Sequence, residues 1–152
     1  MKKDIIVSIP KDAFTEDGLR SKIQKGKVPK NAISWSAENG YTELAKALIA
    51  LGADVKENSN YPLELASRNG HTEIVRMLLE AGAKTKDSSD EGYCLRMAAH
   101  KGYIQIVKML LEAGADPTAD QWMALRLALT EGHMSVAWIL LKAIYEKEIC
   151  QN

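Results

Sequence analysis

Three histidines and two cysteines are the side chains with the most chemistry to offer in this chain. A metal site needs several such groups closing on one point, and a covalent catalyst needs a nucleophile with a base in reach. His71 and His133 each follow a glycine, Gly70 and Gly132, inside the same local pattern. Their spacing is therefore that of a repeated unit and not that of a ligand set. Cys94 and His100 are the one pair that could be forced into nucleophile and base. Cys94 stands where a helix faces its core and His100 where the same helix ends, which sends the two apart. The carboxylates are scattered without a recognisable acid–base pairing, and the glycines make no phosphate-binding loop. The expectation is a chain that is not an enzyme and holds no metal and no cofactor.

The pattern that absorbs the histidines is an internal repeat. Ala37-Glu38-Asn39-Gly40-Tyr41-Thr42-Glu43-Leu44 returns as Ser67-Arg68-Asn69-Gly70-His71-Thr72-Glu73-Ile74. It returns again around Gly102 and Gly132, in steps of 30, 32 and 30 residues. Leu51-Gly52-Ala53-Asp54, Ala81-Gly82-Ala83-Lys84 and Ala113-Gly114-Ala115-Asp116 keep pace with it. Self-similarity at a fixed period marks an array whose units bury their core only against neighbours.

Each unit reads as a helix pair. In the second, Pro62 suits a first helical turn, Leu63, Leu65 and Ala66 supply an apolar face, and Gly70 stops the helix through positive φ. Thr72-Glu73 opens a second, longer helix, on which Ile74, Val75, Leu78 and Leu79 fall at helical spacing before Gly82 ends it. Helices of this length are marginal alone, so stacking must stabilise them.

These residues resemble the ankyrin repeat. The match rests on Pro62-Leu63, Ala66, Gly70-His71, Glu73-Ile74-Val75, Leu78-Leu79 and Gly82-Ala83, and again on Leu95, Ala98-Ala99, Gly102, Ile106-Val107, Leu110-Leu111 and Gly114-Ala115-Asp116. The first unit keeps Ala37, Gly40, Glu43 and Gly52-Ala53-Asp54, and the last keeps Leu125, Ala128, Gly132-His133 and Leu140-Leu141. The resemblance implies an all-α fold, an ankyrin-repeat solenoid of stacked helix-turn-helix units. Four repeats over 29–58, 59–90, 91–120 and 121–152 form one continuous domain. Residues 1–28 form an extension with a capping helix around Phe14, Leu19 and Ile23. At the back, a closing helix runs through Trp138 to Ile149, with Lys142, Glu146, Lys147 and Glu148 outward.

The departures matter too. The family period is about 33 residues, with a hairpin finger in each connector. Here the connectors from Ala53 to Pro62 and from Ala115 to Ala124 are shorter, so stunted loops are expected, with a fuller finger only around Lys86 to Asp90. Asn31, Tyr61, Tyr93 and Met123 replace the family's capping threonine, and of these only Asn31 is able to cap its helix.

The resemblance also implies where a partner binds. The ends of the first helices and the residues just before each of them line the family's concave side. Here those rows bring Arg68, Asn69, His100, Lys101, Thr130 and Glu131 alongside Tyr61, Tyr93 and Trp122. Tyr, Trp and Arg are the residues that most often carry interface energy. Tyr61 and Tyr93 suit a partner surface or a gap under a short loop equally well, while Trp122 is expected exposed because Met123 can fill the gap. The reading is a protein-binding scaffold, an inhibitor or adaptor that occludes a partner protein. The alternative is recognition of a nucleotide or oligonucleotide by cation and stacking platform together. Net charge of zero and a pI near 6.8 give no bulk pull toward nucleic acid or anionic membrane. Two cysteines make no disulfide framework, and no run approaches a membrane span or a signal peptide, so a cytoplasmic monomer is expected.

Overall fold

The computed structural model describes residues 30–85 and 92–150, and over these the chain is helical with no strand. Four helix pairs follow one another: α1 (Ala32–Asn39) with α2 (Thr42–Ala50), α3 (Glu57–Asn69) with α4 (Thr72–Glu80), α5 (Tyr93–Lys101) with α6 (Ile104–Glu112), and α7 (Ala119–Thr130) with α8 (Met134–Cys150). The odd-numbered helices stack in one file and the even-numbered in a second, each pair packing on its neighbours in order. The expected capping helix and the fuller finger at Lys86 to Asp90 lie outside the described residues.

Apolar spacing explains the core. Leu44, Ala45 and Leu48 recur as Ile74, Val75 and Leu78, as Ile106, Val107 and Leu110, and as Val136, Ala137 and Leu140, all buried. The i, i+1, i+4 pattern puts them on one stripe of each even helix. Full burial of each large aliphatic side chain stabilises the fold by about 1.5–3 kcal/mol. Cys94 is buried among them, as its position on α5 predicts. The second helix of the first unit is longer by one residue only, 9 against 8, and in the third unit α5 and α6 each have 9. Only α8, with 17, is extended.

One turn device closes both helices of a unit. At the first turn, the amides of Tyr41, His71, Tyr103 and His133 donate to the carbonyls of Ser36, Ala66, Ala98 and Ala128 at 2.8–3.0 Å. At the second, Ala53, Ala83 and Ala115 donate in the same 6→1 way to Leu48, Leu78 and Leu110. Both are Schellman closures around a left-handed glycine.

The first-turn glycines serve the stack as well. A Cβ built on Gly40 would come within 2.6 Å of the His71 ring, on Gly70 within 2.7 Å of the Tyr103 ring, and on Gly102 within 2.7 Å of the His133 ring. Each unit thus lays the ring after its own glycine on the glycine of the unit before. Nε2 of His71 sits 3.1 Å from the Glu38 carbonyl oxygen, and Nε2 of His133 is placed the same way on that of His100. This is the structural role the histidine spacing pointed to.

The connectors are shorter than fingers and tighter than stunted loops. Asp54 accepts the Lys56 amide at 2.9 Å, and Asp116 accepts the amide and the hydroxyl of Thr118 at 2.8 and 2.7 Å. Three consecutive left-handed residues then swing the chain into the next unit: Asn58, Ser59 and Asn60 at φ 49°, 61° and 66°, and Asp120, Gln121 and Trp122 at 49°, 53° and 61°. Asn60 is 1 % exposed and its Oδ1 accepts the Lys84 amide at 3.1 Å.

Asn31 does not cap α1. It is left-handed at φ 64° and makes no side-chain cap, whereas a capping residue sits in the extended region. The carboxylate of Glu57, from the next unit's connector, takes over. It accepts the amides of Asn31 and Ser34 at 3.2 Å each, and the Ser34 hydroxyl. A negative group at a helix start suits the dipole.

Gly102 and Gly132 separate backbone cost from ring contact, having φ of 73° and 74°, while only Gly102 has a ring against it. Gly132→Ala should cost the left-handed penalty alone, about 1–2 kcal/mol. Gly102→Ala should cost at least twice that in urea unfolding. Equal losses would show that the ring seat contributes nothing.

Candidate functional site

The nine residues expected to meet a partner fall on the two rows foreseen, though several have structural work as well. Tyr61, first residue of the regular part of α3, is 43 % exposed. Tyr93, its counterpart on α5, is half-buried, so the two tyrosines part ways. Trp122 is 48 % exposed, and Met123 behind it is half-buried.

On the row of helix ends, neighbouring units pair. Arg68 Nη2 lies 3.8 Å from Glu38 Oε1, and Asn69 Nδ2 donates to the Glu38 carbonyl at 3.0 Å. His100 Nδ1 lies 3.6 Å from Glu131 Oε1, too far for a hydrogen bond but close enough for a protonated ring to pair. Thr130 turns its hydroxyl back on the Arg126 carbonyl at 2.9 Å. Lys101 is exposed. Glu38 and Glu131, on the same row, bring carboxylates to Arg68 and His100, so its centre is not simply cationic.

Trp122 is the outlier of the site. The residue immediately before the regular turns of each first helix is left-handed in all four units: Asn31, Asn60 within α3, Gly92, and Trp122 within α7. Two are asparagines and one is glycine, the types that reach this region at low cost. A tryptophan there is strained by about 1–2 kcal/mol, and half its surface gains nothing from burial. Its connector is clamped from behind: Lys147, on α8, reaches Asp116 Oδ1 at 2.6 Å and Thr118 Oγ1 at 3.0 Å. Lys147 therefore does not point outward as the closing-helix reading had it.

Electrostatics single out the same connector. Partial burial raises the Asp116 carboxyl, but the bonds from Lys147 and Thr118 outweigh it and hold the group at about 2 against an ordinary 3.8. The Cys94 thiol is pushed up to about 12, first by burial and then by the Glu64 charge, so it is no nucleophile near neutral pH. Among the described residues no three His, Cys, Asp or Glu side chains gather as metal ligands. No described helix is long and apolar enough to cross a membrane.

Family models carry the geometry to an assignment. A model for ankyrin repeats in three copies matches residues 13–89, and a single ankyrin repeat matches 93–122. The chain belongs to the ankyrin repeat family. Its last pair, α7 with α8, lies mostly outside both matches, in line with the missing Gly-Ala-Asp after α8. No curated protein matches this ankyrin chain. Ankyrin repeats make a protein-interaction scaffold, and the stack described here has that form.

Asp116 sets a pH test. Its folded value lies below its unfolded one, so its contribution is complete above pH ~4 and is lost as pH falls through about 2. Asp116→Asn should lower stability by about 1–2 kcal/mol at pH 7. The gap between variant and wild type should narrow below pH ~4 and close only below about 2. A gap that persists in acid would show that the clamp is not ionic.

Proposed function

We propose that this ankyrin array works by covering a partner protein with the row of first-helix ends and the aromatic edge beside it, as an inhibitor or adaptor acting in the cytoplasm. By resemblance to the family, we take this row as the concave side. Trp122 anchors the partner, Tyr61 extends the edge, and Arg68 and Lys101 supply charge between. His100 and Glu131 meet the partner as a pair.

Trp122 is the observation that carries this reading. It combines a strained backbone with an exposed aromatic surface at a position that another unit fills with glycine. Folding is not what the residue serves. Strain retained without a packing return is characteristic of sites shaped for recognition. An exposed indole beside an arginine and a lysine also fits the composition of interface anchors. The alternative, a nucleotide or oligonucleotide ligand, would use the same residues but would weaken steeply with salt.

Stability and binding should separate at this one position. Trp122→Gly relieves the left-handed strain, so thermal unfolding should stay within about 1 kcal/mol of wild type. Affinity-tagged wild-type chain, exposed to lysate of its native cell, should retain a partner identified by mass spectrometry. The glycine variant should bind that partner at least about thirtyfold more weakly. Undiminished capture by Trp122→Gly would remove the indole, and with it this face, from the reading.

A further inference from the structure

The last unit ends in an apolar surface that neither the core nor the proposed binding row uses. Met134, Trp138, Leu141, Tyr145 and Ile149 of α8 are 62, 72, 45, 66 and 54 % exposed. Their steps of four, three, four and four residues set them on one stripe along the helix. The sequence places Ile144, Tyr145 and Ile149 together on the apolar run of the closing helix, and of these three only Ile144 is buried.

Comparison with the other units shows that the stripe is not an ordinary outer face. The position of Trp138 is held by Lys46, Arg76 and Lys108 in the first three units, each exposed. The fourth unit replaces a solvated cation by the largest apolar side chain. The position of Leu129 is held by Ala37, Ser67 and Ala99, all 0 % exposed under the following unit, yet Leu129 is 47 % exposed. Leu141 corresponds to Ile49, Leu79 and Leu111, which are half-buried. Arrays of this kind close with a polar outer face. Here the outer face of the fourth unit and the edge beside it are apolar.

We infer that this surface is an interface with a second copy of the same chain, two α8 helices packing antiparallel about a two-fold axis that passes between Leu141 and Lys142. A two-fold interface must complement itself, and the stripe does. That axis sets Trp138 against the partner's Tyr145 and Met134 against the partner's Ile149, and brings the two Leu141 side chains together. No large apolar residue of the stripe is left unmatched. From their exposures, the five side chains and Leu129 present about 700 Å² of apolar surface, close to the ~800 Å² per partner of a standard interface. A net charge of zero adds no repulsion between copies. The dimer leaves the row carrying Arg68, Lys101 and Trp122 open in both copies, and it takes the place of the monomer expected from sequence.

Sedimentation equilibrium of the full chain tests this. Wild type should weigh twice 16.8 kDa. Trp138→Lys, which restores the residue type the other units carry, should stay folded by circular dichroism and weaken dimerisation about thirtyfold or more. In a Cys150→Ser background, spin labels introduced at Lys142 should lie about 10 Å apart across the dimer and those at Ser135 about 20 Å apart. Wild type that remains at 16.8 kDa up to about 100 μM overturns the inference, whether the stripe is then found against another protein or against lipid vesicles. So does a Trp138→Lys dimer as tight as wild type. Equal label separations at the two positions overturn the antiparallel register.

Discussion

An aromatic ring resting on a bare glycine backbone is the contact on which the array depends. His71, Tyr103 and His133 occupy the space where Gly40, Gly70 and Gly102 lack a Cβ. The same glycines need positive φ to reverse the chain. One atom's absence thus does two things: it lets the helix pair turn, and it lets the next pair approach. The distance between units follows from it, and so do the alignment of the helix ends and the register in which Glu38 meets Arg68 and His100 meets Glu131. Side-chain burial along the even helices supplies most of the stabilisation, but it is not directional. The ring seat supplies the register.

The fold was legible because its determinants are local and repeated. A glycine at steps of 30, 32 and 30 residues, with aliphatic residues at helical spacing after it, leaves little freedom in assigning the turns. What could not be read were features that depend on a neighbour's reach. Asn31 has the right type for a cap, but the carboxylate that caps α1 arrives from Glu57, 26 residues away. Lys147 looked like an outward charge until the short connector brought Asp116 beneath it. The left-handed triplets were also hidden: Asn58, Ser59 and Asn60 hint at them, but Asp120, Gln121 and Trp122 do not.

The candidate site was legible as rows and less so as chemistry. Trp122 is exposed as expected, the two tyrosines that the sequence leaves open differ in exposure, and Asn69 and Thr130 are held by main-chain carbonyls. The stripe on α8 was in plain sight as a heptad-like run of large residues. A closing helix is expected to bury such residues, and α8 leaves them exposed. Comparing one unit with the next, Lys108 with Trp138 for instance, is the signal that exposes it.

The carbonyl oxygens of Glu38 and His100 have no proton to give. His71 and His133 must therefore each carry hydrogen on Nε2, which fixes a single tautomer. Each of these two joints therefore fixes where a proton sits as well as where a ring rests.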